Sequence, residues 1–266
     1  MKQQKIGILG AGISALGAAQ LAASKGYRVL LSDKNKLSEA QKSQLLEWDV
    51  EFEEEQHSSN LLHNTAFLIK SPGIPPDIPI LQEAQKRQIP VISEIEFGYQ
   101  HIQSGKIIAI TGSNGKTTTT ALIHHVLKIE SDSVCLAGNI GQSLCGQIIN
   151  SQFDYYVLEV SSFQLDDSKT FKPHIALILN VTSDHLDRYK TLERYRHSKL
   201  SILKNMGADN LVISTADDPI LASKVKEYPI QNQMFSQSNA LASDAYIHNQ
   251  FLVLRDSPEW QINFDA

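Results

Sequence analysis

The chain has 266 residues, 42% hydrophobic and 20% charged, the make-up of an ordinary globular protein with room for two cored domains. Its formal net charge is -5 and it has no lysine- or arginine-rich block, which speaks against nucleic-acid or membrane-surface binding as its main work. Cys135 and Cys145 have neither metal-ligand spacing nor a disulfide framework, so the expected setting is the cytoplasm, and the first apolar run is too short for a signal peptide or a membrane span.

In chain order, residues 5–9 predict a buried strand. Gly10-Ala11-Gly12-Ile13-Ser14-Ala15 then turns into an alanine- and leucine-rich helix over 14–25, closed by Gly26. Residues 27–32 predict a second strand, ending at Asp33. Together these make a βαβ unit with a right-handed crossover. The glycine spacing is that of a dinucleotide-binding turn, with Ala15 in the third glycine's place and Asp33 as the acidic residue about twenty positions on. Such a helix N-terminus holds any diphosphate, including that of a UDP-sugar; the plain alternative is a close-packed turn with no ligand. A buried strand is predicted over 65–69, then Ser71-Pro72-Gly73 and Pro75-Pro76, which force a turn, a helix over 81–87 and a short strand over 90–92. Residues 93–106 read as polar and mixed. The division falls at Ser93, giving domains 1–93 and 94–266.

The second domain opens with an apolar strand over 107–110, then Thr111-Gly112-Ser113-Asn114-Gly115-Lys116-Thr117-Thr118, then a helix over 119–129. Strand, glycine turn, Lys-Thr and helix form a phosphate loop. Backbone N–H groups and the helix N-terminus face phosphate oxygens, the lysine adds a full charge, and Thr117 offers a hydroxyl to Mg²⁺. The loop is a shortened variant, because Ile110 stands where the first glycine of the common form would be. Further strands are expected over 133–136, 155–158, 174–179 and 210–214, with helices between several of them, and a β-hairpin or meander over 245–264. The alternation argues for a mostly parallel sheet with helices on both faces.

Three candidates follow from position. Glu159 ends a strand and is either a Mg²⁺ ligand or a solvated strand-end carboxylate. His185 lies between Asp184 and Asp187 at another strand's carboxyl end. Lys199 sits in a predicted helix, where position alone makes it an exposed lysine no different from Lys190 or Lys204.

These segments resemble the Mur ligase family. The resemblance is carried by the loop from Thr111 to Thr117, by Gly138-Asn139-Ile140-Gly141, by Leu158-Glu159-Val160-Ser161-Ser162-Phe163-Gln164-Leu165, by the run from Leu179 to Tyr189, and by Lys199. The Ser-Ser-Phe-Gln-Leu and Asp-His-Leu-Asp-Arg-Tyr strings are those of the D-glutamate-adding branch. The resemblance implies a Rossmann-like N-terminal domain for the UDP part of UDP-N-acetylmuramoyl-L-alanine, bound through Ile13, Ser14, Asp33, Ser71, Pro72 and Gly73. It implies a second domain that binds ATP through Gly112, Ser113, Asn114, Gly115, Lys116, Thr117 and Thr118. Thr117 would serve a first Mg²⁺, Glu159 and His185 a second, Asn139 the substrate and phosphate region, and Lys199 a carbamate. The implied reaction is amide-bond formation with D-glutamate through an acyl phosphate, in peptidoglycan precursor synthesis, by a monomer; Lys116, His185 and Lys199 are the implied catalytic residues. Lys34 and Asn35 depart from the hydroxyl residue and arginine that the resemblance leads one to expect after Asp33. The resemblance also implies three domains, so the chain is expected to hold an incomplete ATP-binding domain and to show little or no ligase activity by itself. A nucleotide-binding module without catalysis is the competing reading. A GTPase lacks its guanine-reading Asn-Lys-x-Asp motif here.

Overall fold

The structure is a computed structural model that describes residues 4–237, 243–248, 251–255 and 257–263. β1 (Lys5–Leu9) lies at the centre of a five-stranded, wholly parallel sheet. Four of its five residues are buried, as expected of a strand covered on both faces. Ile6 and Ile8 pack towards α1 (Ile13–Ser24), while Leu9 joins Leu61, Leu62 and Leu68 on the other face. Gly26 closes the helix region with φ 80. The sheet is completed by β2 (Arg28–Ser32), then α2 (Glu39–Glu47), β3 (Glu51–Glu53) and β4 (Thr65–Lys70). α3 (Pro79–Lys86) and β5 (Val91–Ser93) follow, and the strand order is β3-β2-β1-β4-β5. α3 starts two residues before the predicted helix, because Pro79 suits the first helical position, where no N–H bond is needed.

Residues 94–99, read from sequence as polar and mixed, form a buried helix, α4 (Glu94–Tyr99). Ser93 ends β5 and caps α4 by accepting from Glu96 N at 3.1 Å. Glu96 is buried because its carboxylate accepts from the N–H groups of Lys169, Thr170 and Phe171 at 2.9–3.1 Å. Those bonds offset the cost of removing a carboxylate from water.

The second sheet contains β6 (Lys106–Thr111), β7 (Val134–Gly138), β8 (Tyr155–Glu159), β9 (Ile175–Ile178), β10 (Leu211–Thr215) and β11 (Gln231–Ser236). β12 (Ala245–His248), β13 (Phe251–Leu254) and β14 (Ser257–Asn263) close it as the expected meander; positions 249, 250, 256 and 264 of that prediction lie outside the described residues. The order is β14-β13-β12-β11-β10-β9-β6-β8-β7, parallel from β7 to β12 and antiparallel after it. β11 was not expected, since Gln231, Asn232 and Gln233 give it no apolar alternation.

α5 (Lys116–Glu130) covers one face of this sheet with Ile123 and Leu127, against Ile108 and Ile110. The other face carries Ile107 and Ala109, with α6 (Leu144–Gln147), α7 (Ser162–Asp166), α8 (Leu186–Tyr189), α9 (Leu192–Leu200) and α10 (Pro219–Val225) following in the chain. Its apolar core is continuous with that of the first sheet. The junction is tight: a Cβ on Gly17 of α1 would lie 1.8 Å from Ser143 Oγ, which caps α6. Among the described residues no helix is long and apolar enough to cross a membrane.

Candidate active site

β6 ends at Thr111 and the chain curls through Gly112, Ser113, Asn114 and Gly115 into α5. Gly115 has φ 81, a conformation that favours glycine, and the helix starts at the next residue, Lys116, three residues before the sequence predicts. Lys116, Thr117 and Thr118 therefore form the first turn. Their N–H groups lack helical acceptors and no side chain caps them, which leaves an anion-binding helix end. Lys116 Nζ rests on the carbonyls of Gly112 and Ser113, both at 2.9 Å.

The curl is braced from the segment after β9. Asn180 Oδ1 accepts from the N–H groups of Ser113 and Asn114 at 3.1 and 2.9 Å, and Asn180 Nδ2 donates to the Asn114 carbonyl at 3.0 Å. Thr182 N donates to Ser113 Oγ at 3.0 Å. Asn180 has no role assigned from the sequence alone. Its signal is a carboxamide just beyond a strand that neighbours the loop's own strand.

Glu159, at the end of β8, is only 2% exposed, which removes the solvated reading. Thr117 Oγ1 donates to its Oε2 at 2.8 Å and Asn139 Nδ2 to its Oε1 at 3.0 Å. Asn139 is placed by Gly138, whose φ is 106; a Cβ there would lie 2.2 Å from the Glu159 carbonyl oxygen.

Lys199 is 1% exposed, contrary to the surface lysine that position alone suggested. Lys190, by contrast, is exposed. Lys199 Nζ donates to the Gly112 carbonyl at 2.7 Å, the same oxygen that receives Lys116, and lies 4.5 Å from the Tyr195 ring centre. Burial, with the Lys116 ammonium adding to it, pulls its pKa down to about 7, against the opposing Asp184 and Asp166 carboxylates. At neutral pH much of this side chain is therefore a free amine.

His185 adopts φ 51 and starts α8. Its ring lies 4.9 Å from Phe163 and 5.8 Å, edge-on, from Tyr195, with Nε2 3.6 Å from Asp184 Oδ2. Phe163 thus serves as a platform, and the Arg188 guanidinium covers it at 4.0 Å. Beneath them Asp166 accepts from Tyr189 OH at 2.7 Å and from Ser198, the neighbour of Lys199. No hydrogen bond joins Glu159 to His185, and among the described residues no three His, Cys, Asp or Glu side chains gather into a metal site of their own. The hard oxygen donors of Thr117 and Glu159 nonetheless fit Mg²⁺, which takes a carboxylate or two and completes its shell with phosphate and water.

A cavity of about 620 Å³ opens beside these groups at the carboxyl ends of the first sheet. Ile13, Ser14, Asp33, Ser71, Pro72, Gly73 and Asn139 all line it. So do Lys34, Asn35 and His57, the last with no role assigned from the sequence alone. A larger open cleft of about 1500 Å³ lies beside Lys5 and Arg28, where the strands begin, away from the usual ligand end of such sheets.

Residues 110–257 match the Mur ligase middle domain, and residues 5–80 match the MurD N-terminal domain. The chain belongs to the Mur ligase family. Among curated relatives of this chain, the UDP-N-acetylmuramoylalanine–D-glutamate ligase of Cytophaga hutchinsonii is 48% identical over 229 residues, covering 85% of this chain and 51% of that protein. The enzyme of the same name from Christiangramia forsetii is 41% identical over 254 residues, covering 94% and 57%. The chain spans about half the length of the curated relatives it matches. Among solved structures, the UDP-N-acetylmuramate:L-alanyl-gamma-D-glutamyl-meso-diaminopimelate ligase from Neisseria meningitides superposes with a TM-score of 0.66 at 17% identity, covering 99% of this chain and 88% of that one, which shows the shared fold.

Proposed function

We propose that this member of the Mur ligase family acts in ATP-dependent amide-bond formation, joining D-glutamate to UDP-N-acetylmuramoyl-L-alanine during peptidoglycan precursor synthesis. Residues 1–93 take the UDP part and residues 94–266 the triphosphate. The single observation that carries this reading is the path Asn139–Glu159–Thr117. Asn139 lines the diphosphate cavity, and Thr117 belongs to the phosphate loop. One buried carboxylate bonds to both, at 3.0 and 2.8 Å. The two cradles therefore meet at a group suited to a cation.

In the reaction the substrate's terminal carboxylate attacks the γ-phosphorus of ATP, and ADP leaves with the bonding electrons. The amine of D-glutamate then attacks the acyl carbon, phosphate departs, and the amine loses a proton. Both partners of the first step are anions, so positioning and charge neutralisation set the rate. The α5 N-terminus and Lys116 bind and orient the phosphates. Thr117 and Glu159 would hold one Mg²⁺, and Glu159 with His185 would help hold a second; bound Mg²⁺ neutralises the phosphate and carboxylate oxygens. Lys199, whose burial favours the neutral amine, would be set up to take CO₂ as a carbamate with release of a proton. The names of the curated relatives support action on these small molecules, and the two buried free thiols fit a cytoplasmic setting.

Calorimetric titration tests the reading. The chain should bind UDP-N-acetylmuramoyl-L-alanine and ATP·Mg²⁺, and Glu159→Gln should weaken ATP·Mg²⁺ binding about tenfold or more while leaving UDP binding within about threefold. Failure of the wild-type chain to bind either nucleotide would overturn it. D-glutamate-dependent phosphate release by this chain would overturn the expectation that it has little or no ligase activity by itself and would exclude the non-catalytic module.

A further inference from the structure

The substrate cavity holds a histidine that neither glycine turn accounts for. His57 lies between β3 and β4 and lines the same cavity as Asp33, Ile78 and Pro79. Its Nδ1 is 2.7 Å from Ser32 Oγ, the last residue of β2 and fully buried. Counting protons fixes the tautomer. Ser32 Oγ lies 2.7 Å from Glu53 Oε1 and 3.1 Å from the Gln56 carbonyl oxygen, and both of these only accept. Giving the hydroxyl proton to His57 would leave two bare oxygens against Ser32 Oγ, so it goes to the nearer Glu53 carboxylate and the hydroxyl oxygen accepts from His57. Glu53 is itself fixed by the N–H of Ser58 at 2.8 Å and by the Ser58 hydroxyl.

His57 therefore carries its proton on Nδ1. Burial holds its pKa below the usual imidazole value, with Lys34 adding to the effect and the Asp33 and Glu53 carboxylates opposing it. The ring is neutral near pH 7, and its Nε2, which has no protein partner among the described residues, is a bare acceptor.

We propose that His57 reads the base of the bound nucleotide by accepting a hydrogen bond from a ring imide N–H, and so selects uracil over cytosine. This rests on the UDP-sugar reading given above. Uracil presents N3–H between two carbonyls, whereas cytosine presents an unprotonated N3 on the same edge. An acceptor meets a donor in the first case and another lone pair in the second, and a site built for a donor rejects the analogue that lacks it. Asp33 is left to the ribose hydroxyls, the usual duty of the acidic residue closing the second strand. Its Oδ1 accepts from Asn35 N at 2.8 Å, which fixes the carboxylate. Ile74, Ile78 and Pro79 supply an apolar wall for the ring's face.

Calorimetric titration of the chain with UDP, CDP and the diphosphate of 3-methyluridine tests the proposal. Wild type should prefer UDP about tenfold or more over either analogue, since each leaves Nε2 without a donor. His57→Phe keeps a ring of similar size and loses the acceptor, so the three affinities should fall within about threefold of one another. His57→Gln offers a carbonyl oxygen and should restore part of the preference. Equal wild-type affinity for UDP and its N3-methyl analogue overturns the proposal by itself, whatever the variants do. A tenfold preference surviving in folded His57→Phe also overturns it; in both cases the UDP-sugar reading still stands. No UDP binding by wild type brings down both.

Discussion

The Gly112 carbonyl oxygen accepts from two lysine side chains, Lys116 and Lys199, at 2.9 and 2.7 Å. Burial, and after it the like charge of Lys116 on the same acceptor, explain why Lys199 gives up its proton so readily. A free amine next to cation ligands is the chemistry a carbamate needs. In ¹³CO₂-enriched buffer with Mg²⁺ and ADP, the wild-type chain should show a carbamate carbon signal that Lys199→Ala lacks and Lys204→Ala keeps. An unchanged signal in Lys199→Ala would refute this. Position in the sequence could not separate Lys199 from Lys190 or Lys204, because burial of a helix lysine depends on what packs over it, here Tyr195 and the phosphate loop. Glu159 was legible as a strand-end carboxylate, but its two donors come from residues 117 and 139, and only folding brings them to it. His57 was illegible for the same reason: its meaning lies in Ser32 and Glu53, each on a different strand.

At the level of elements, the least expected feature is α4. Its first residue, Glu94, is 1% exposed, accepts from Cys145 N at 2.7 Å, and has no partner for Oε2. Burial raises its pKa to about 7, so the folded chain holds a proton there that the unfolded chain has released. A carboxyl whose pKa is raised by folding contributes fully below its unfolded value near 4.5 and loses that contribution as pH rises through 7. Glu94→Gln, which mimics the protonated form, should match wild type at pH 5 and exceed it at pH 8 by about 1–3 kcal/mol in denaturant melts. A constant difference across that range would show that Glu94 is not the titrating group. The central strands were legible from their apolar runs, and the glycine turns from spacing. α4 and β11 were not, because charged or amide residues interrupt both: Glu96 is satisfied by a turn more than seventy residues away, and β11 is held by its register on β10.

For the whole molecule, the continuous core implies that the two sheets unfold together. Calorimetry should show one transition, and Gly17→Ala should lower its midpoint by about 2 °C or more, since the new methyl displaces the α6 cap. Two resolved transitions in wild type would contradict the shared core. A second tie is the ion pair between Lys70, at the end of β4, and Asp167, just after α7, at 2.8 Å with the lysine side chain 1% exposed. Burial raises the Asp167 pKa despite the Lys70 charge, so removing the lysine leaves a poorly solvated acid. Lys70→Ala should cost about 3 kcal/mol, and the added Asp167→Asn change should recover part of that loss. Gly138 bears on inhibitor design. With its backbone pressed against the Glu159 carbonyl, the position tolerates no side chain without parting two strand ends, so a compound that leans on this stretch of main chain meets a contact that resistance mutations cannot easily reshape.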